Sequence, residues 1–291
     1  STLENVCYRR DVMAVLNMVR QNIFGELIHL EGGYQHDLRG ILFNDGKSIS
    51  GKGTKYGKEA YSEAQWRTNW NIKRNGDLYP THGAGPVMHY ANINYGNRFT
   101  NLVSFGSKSR GLQEYVKSID ADNPFVKSEV KNSDVSTTVL NCANGETVLF
   151  SHDVHLPRPY SLGFRVQGTK GLWMDVAQSI YVEGKSAKND VWDEAKTWIE
   201  KYDHPLWKKY ADKAQGAGHG GMDWFVFNGF IEAVKRKTQP PIDVYDSVTM
   251  SAITPLSEKS VNNGNAPQDF PDFTKGKWKT RKTSFALNDD Y

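Results

Sequence analysis

Cysteine is close to missing from this chain: Cys7 and Cys142 are the only two among 291 residues. Two thiols build no disulfide framework, although they leave room for one bridge, so the redox compartment stays open. Long apolar runs are missing as well. None approaches the roughly 20 residues that cross a bilayer, and the opening STLENVCYRR has no apolar core of a signal peptide. Charge of one sign is not in excess: 36 Lys+Arg stand against 33 Asp+Glu, a net +3 spread along the chain. Without a basic block to track phosphates, nucleic acid is not an expected partner.

The familiar motifs of catalysis are missing too. Eight histidines include no HExxH or Cys/His metal pattern, and His152 and His155 in SHDVH have no further ligands beside them, so no metal is expected. No Gly-x-Ser-x-Gly elbow occurs, and no two carboxylates can be set across a sugar. SGKGTKYGK, within the Gly/Lys/Ser-rich stretch 44–58, lacks the Walker spacing and reads as a long mobile loop.

What is present describes an ordinary globular chain, 38% hydrophobic and 24% charged. Val12, Val15, Leu16, Val19 and Ile23 recur at helical spacing before Gly25. GELIHLEGGY alternates as a strand, with Leu27, His29 and Glu31 on one face and Ile28 and Leu30 on the other. A short helix is expected over 86–95 with Pro86 in its first turn. Strand signals then crowd the middle: NLVSFGS, STTVLNC, ETVLFSHD, SLGFRVQG, LWMDV and SIYVEG. Asn144-Gly145 between two of them is the strongest hairpin signal.

Helical patterns return at 205–213, 222–235 and 242–260, and beyond Asn262 the chain is polar and reads as a wrapped or loosely ordered tail. Strands that follow one another without intervening helices predict an antiparallel sheet. The expectation is one α+β domain over 1–291, a large open mostly antiparallel sheet with helices on one face and a tail from about residue 262. The other face would be covered by a partner or by long side chains.

Polar residues gather in glycine- and proline-rich turns: GGYQHDLRG, QWRTNW, LYPTHGAGP, LPRPYSLGF and GAGHGGMDW. Loops of this makeup on a rigid scaffold usually form sites. Tyr and Trp planes cover sugar faces, and Arg, His and Tyr hold hydroxyls, so together they suggest a carbohydrate site. Singly, His82, Tyr160 and Arg67 each have an ordinary structural explanation.

The strings YRRDVMAVLNMVRQNIFGELIHLEGGYQHDLRG, QWRTNWNIKRNGDLYPTHGAGP, LPRPYSLGFRVQGTKG and GHGGMDWFVFNGFIEAV resemble glycoside hydrolase family 109, whose activity is α-N-acetylgalactosaminidase, through nearly the whole chain. That family falls in the Gfo/Idh/MocA group, with an N-terminal Rossmann domain for NAD and a C-terminal α+β domain for substrate. This chain has no strand followed by GxGxxG, so it looks like the C-terminal domain, beginning near the junction. The resemblance implies NAD held mainly by the Rossmann domain, oxidation of the sugar at C3, elimination, water addition and re-reduction. By itself the chain is then expected neither to retain NAD nor to cleave glycosides.

Matching motif to motif, the resemblance implies His82 and Tyr160 as acid/base residues, with Tyr34, Arg67, Tyr79, Arg158 and His219 as substrate contacts. It further implies glycans containing N-acetylgalactosamine as partners, an exported or periplasmic setting, and a homo-oligomer through the open sheet face. An NAD-dependent sugar dehydrogenase, or a noncatalytic carbohydrate-binding or assembly module, stands as the alternative.

Overall fold

A computed structural model describes residues 2–291. Nine strands among the described residues form one sheet: β1 (Leu27–Gln35), β2 (Phe99–Gly106), β3 (Val135–Cys142), β4 (Thr147–Asp153), β5 (Arg165–Gly168), β6 (Gly171–Met174), β7 (Ser179–Val182), β8 (Asp193–Glu194) and β9 (Gln268–Asp269). Their spatial order is β8-β7-β6-β5-β1-β4-β3-β2-β9. β1 lies parallel to β4, and every other neighbouring pair is antiparallel. This is the open, mostly antiparallel sheet expected from the strand run.

The helices are α1 (Arg10–Arg20), α2 (Arg39–Leu42), α3 (Arg67–Lys73), α4 (Thr81–Tyr90), α5 (Gly111–Lys117), α6 (Ala195–Lys201), α7 (Pro205–Ala214), α8 (Met222–Arg236) and α9 (Val244–Asn262). α4 lies over β1 and α9 over β2. Beneath them Leu30, Leu102, Leu140, Val148 and Phe150 are fully buried, so the core sits between the sheet and this helical layer. On the opposite face Phe105 and Val139 stay exposed. Among the described residues no helix is long and apolar enough to cross a membrane.

Two sequence expectations change and a third, left between two alternatives, is decided. The strict alternation of β1 fails at its start, where a bulge falls between Leu27 and His29; Ile28 is 50% exposed although Leu30 is buried, and Leu27 packs on the core. The helix expected over 86–95 runs instead over Thr81–Tyr90, with Pro86 inside it. Pro86 has no N–H for the carbonyl four residues back, that of His82, and this early in the helix the loss is confined to one bond. The tail beyond 262 is wrapped rather than loose: β9 pairs with β2, and Phe270, Phe285 and Ala286 are buried.

Burial holds several histidines neutral. His89 on α4 stacks on Phe285 at 3.9 Å, and its pKa is pushed down to about 3 by burial, with Arg20 adding to the effect. A depressed histidine binds its proton in the unfolded chain near pH 6.5 but not in the fold, so its contribution to stability is lost as pH falls below 6.5. His89→Phe keeps the ring stack and removes the titration. Its stability relative to the parent is expected to rise by about 1.4 kcal/mol per pH unit between pH 6.5 and about 4. Urea unfolding at pH 7.5 and 4.5 reads this; a difference that does not change with pH sinks it.

Candidate active site

The site begins with three glycines that bring helix to strand, and a fourth that makes room for the N-terminal turn. A Cβ on Gly83 would lie 2.4 Å from the Gly33 nitrogen, and one on Gly32 would lie 3.1 Å from the Gly83 carbonyl oxygen. A Cβ on Gly33 would lie 2.1 Å from the Ser151 oxygen of β4. Only bare backbone lets α4 settle this close to β1. Gly85, on the same helix, leaves room for Cys7 and for the stem of Glu4. The first turn of α4 closes through Ala84 N–H donating to the Pro80 carbonyl at 2.8 Å, which puts His82 in that turn, over the end of β1.

There the rings meet. Tyr34 lies 4.6 Å from Tyr79, 5.3 Å from His82 and 6.4 Å from Tyr160, centroid to centroid. His82 is 5.0 Å from Tyr79. The Arg67 guanidinium, on α3, sits 4.8 Å over the Tyr79 ring and 6.0 Å over Tyr34, and is paired with Glu63. Tyr34, Arg67, Tyr79, His82 and Tyr160 therefore share one place, drawn from β1, α3, the turn leading into α4, α4 itself and the segment after β4.

Two neighbours escaped the sequence reading as site residues. His82 Nδ1 meets Glu4 Oε1 at 2.6 Å, and Glu4 is 4% exposed. An ionised carboxylate only accepts, so the pairing puts a proton on Nδ1 and leaves Nε2 as the free nitrogen. Glu4 is itself anchored, accepting from Val6 N–H at 3.0 Å as the cap of the turn Asn5–Tyr8. His36 is the second: its Nδ1 lies 3.3 Å from the Tyr34 hydroxyl, and its ring is 5.0 Å from Tyr160. Nothing in STLENV marks Glu4 for a site, whereas His36 lay inside the GGYQHDLRG string.

Burial tunes the hydroxyls. The Tyr34 pKa is pushed up to about 12 by burial against the opposing pull of Arg67. Tyr79 and Tyr160 are also raised by burial, with Arg67 opposing at Tyr79 and Arg9 at Tyr160. His36 is lowered by burial and by Arg67, with Asp37 opposing. Near neutral pH the tyrosines are thus O–H donors and His36 is neutral, able to accept from Tyr34.

Arg158 and His219 each pair with a carboxylate. Arg158 pairs with Asp153 Oδ2 at 2.6 Å and donates to the Pro159 carbonyl. His219 is exposed in a turn before α8, 2.8 Å from Asp223, which accepts from Asn5. The His219 turn is therefore tied to the segment that carries Glu4 rather than to the cluster. A concavity of about 550 Å³ lies near the opposite end of β1 among Lys170, Leu172, Tyr181 and Trp192, away from all of these residues. The ring cluster, not this concavity, gathers the candidate acid/base and sugar-stacking side chains.

Residues 8–280 match the family model described as Glycosyl hydrolase 109, C-terminal domain. A glycosyl hydrolase family 109 protein of Stenotrophomonas maltophilia is 57% identical over 99% of this chain and 64% of its own length. An alpha-N-acetylgalactosaminidase of Tannerella forsythia is 52% identical over 98% of this chain and 62% of its own. The chain thus spans under two thirds of these relatives. Among solved structures, levoglucosan dehydrogenase in complex with NADH and levoglucosan aligns with a TM-score of 0.59 at 16% identity, covering 92% of this chain and 66% of that one. An oxidoreductase from Pseudomonas syringae aligns at 0.55 with 13% identity, covering 92% and 63%. At such identities the likeness is of fold.

Proposed function

The chain belongs to glycosyl hydrolase family 109, and from that premise we propose that it is the sugar-holding domain of an NAD-dependent α-N-acetylgalactosaminidase. The observation that carries this is the convergence of Tyr34, Arg67, Tyr79, His82 and Tyr160, with Glu4 holding His82. A dinucleotide's pyrophosphate needs a glycine-rich turn between a parallel strand and a helix N-terminus. Among the described residues the one parallel pair, β1 with β4, has no such turn, so these residues do not fit that part of the cofactor. NAD, bound elsewhere in the whole protein, would supply reversible oxidation of the sugar at C3.

The roles of this chain's residues follow from their protonation. The Tyr34 and Tyr79 planes seat an apolar sugar face, with the Arg67 fork beside them for oxygen atoms. His82 Nε2, unprotonated while Nδ1 is given to Glu4, takes the proton at the sugar C2, and the buried carboxylate steadies the imidazolium that results. Tyr160, 50% exposed, offers its O–H to an oxygen that gains charge. The domain reading, 1–291 as one unit, belongs to the same proposal, as do glycans bearing N-acetylgalactosamine as substrate.

The test is the whole protein supplied with NAD and an aryl α-N-acetylgalactosaminide. Free sugar is expected with no net NADH. Net NADH equal to the sugar consumed makes it a sugar dehydrogenase, and neither product makes it a binding module.

A further inference from the structure

The string QWRTNW sends Arg67 to the ring cluster and leaves its two tryptophans without a task. Trp66 and Trp70 are 57% and 44% exposed, although side chains of this size gain most from leaving water. Spaced four apart, Trp66, Trp70 and Arg74 follow one another along α3 and the residues that flank it. The Arg74 guanidinium lies 4.4 Å over the Trp70 ring, and its Nε meets Glu258 of α9 at 3.0 Å. The Trp70 plane is therefore held in place before anything binds it.

That row borders two concavities, which share Trp70, Leu78 and Tyr79. One, about 160 Å³, includes Arg67 and the buried Asn71, and is smaller than the roughly 300 to 1,000 Å³ of clefts that hold a small ligand. The other, about 450 Å³, falls within that range. It is a groove between α3 and α9, with Trp70 and Arg74 on one side and Ser251, Thr254 and Pro255 on the other. Trp70, Ser251 and Pro255 are exposed, so the groove opens to solvent. Tyr79, 5.0 Å from His82, joins it to the ring cluster.

We propose that this groove seats the sugar next to N-acetylgalactosamine on a glycan, so that the protein reads a neutral oligosaccharide rather than one terminal residue. A glycan whose terminal sugar lies on Tyr34 and Tyr79 must carry the rest of its chain out of the cluster, and the groove begins at Tyr79. Trp70 supplies a fixed plane for a pyranose face, and Thr81, Ser251 and Thr254 bring hydroxyl groups for its oxygen atoms. Charge decides against a sulfated or carboxylated sugar. Arg74 is the one cation lining the groove, and Glu258 already neutralises it. This inference rests on the N-acetylgalactosaminidase reading, so its readout is a ratio between two ligands that share the terminal sugar.

The experiment measures kcat/KM of the whole protein, supplied with NAD, on methyl α-N-acetylgalactosaminide and on N-acetylgalactosamine α-linked to galactose. Trp70→Ala removes the plane and is expected to lower the disaccharide-to-methyl ratio about three- to tenfold, the worth of one stacked ring. Thr254→Trp fills the groove from the α9 side and should lower it likewise, should the first variant fail to fold. Parent and variants break the same two bonds, so a change in the ratio reports the groove and not the leaving group. A ratio that the variants leave intact, or an equal loss on both substrates, overturns the groove and spares the glycosidase reading. If neither compound is cleaved, calorimetric titration with both reads the same ratio: a preference for the disaccharide that the variants erase keeps the groove and sinks the glycosidase reading, whereas no preference overturns the groove as well.

Discussion

His82→Ala in the whole protein is expected to lower kcat on an aryl α-N-acetylgalactosaminide by about 10² to 10⁴ with little change in KM, the range of a positioned proton-transfer group. The reason is in the pairing with Glu4. A carboxylate 2.6 Å from Nδ1 and only 4% exposed fixes which nitrogen carries the proton and leaves the other with a free lone pair. Removing the imidazole removes the proton acceptor but leaves the Tyr34 and Tyr79 planes that seat the sugar, which is why turnover and binding should separate. Glu4→Gln can still accept from Nδ1 through its carbonyl oxygen but no longer offsets the charge of an imidazolium, so its loss in kcat should be smaller and of the same kind. Steady-state kinetics of both variants is the check. A raised KM with kcat intact would make His82 a sugar-binding residue.

The parts of this site that were legible in the sequence are those fixed by local composition. Helical periodicity placed α8 and α9 within two residues of their ends at 222–236 and 244–262, and Asn144-Gly145 does close the β3–β4 turn, with Gly145 at φ +102°. The strings that hold Tyr34, Arg67, Tyr79, His82 and Tyr160 stand out because they mix aromatic, basic and glycine residues, while the choice of these residues within them is what the resemblance to family 109 implies. What could not be read depends on pairing across the chain. The partner of His82 is 78 residues away, in a stretch whose only local signal is an N-cap. Arg158 pairs with Asp153 and His219 with Asp223, as Arg67 pairs with Glu63, so an acidic neighbour close in sequence does not separate them; Arg67 differs in lying over the Tyr79 ring. The start of α4 was misplaced because Pro86 was taken as a first-turn residue; the helix tolerates it five positions further in because the contact with β1 outweighs one missing bond.

That contact sets the last expectation, that Gly83→Ala is destabilising although alanine is the better helix former. By propensity alone the change should gain about 0.5 to 1 kcal/mol in a helix interior. Sterically it is opposed: the new Cβ would lie 2.4 Å from the Gly33 nitrogen and 2.8 Å from its Cα, both backbone atoms of a strand held on two sides by β4 and β5. Neither can swing aside as a side-chain tip could, so α4 must lift, and overpacking of this kind costs about 1 to 3 kcal/mol or more. The lift would carry His82 away from both Glu4 and Tyr34, so activity should fall further than the folded fraction does. Gly33→Ala should behave alike, its Cβ meeting the Ser151 oxygen at 2.1 Å. Gly40→Ala is the control, because on α2 the nearest atom is the Tyr115 hydroxyl at 3.5 Å and the propensity gain should appear unopposed. Urea unfolding of the three variants, with activity measured under folding conditions, decides it: a Gly83→Ala protein as stable and as active as its parent would mean that helix and strand are not pressed together here and that the position of His82 does not depend on them.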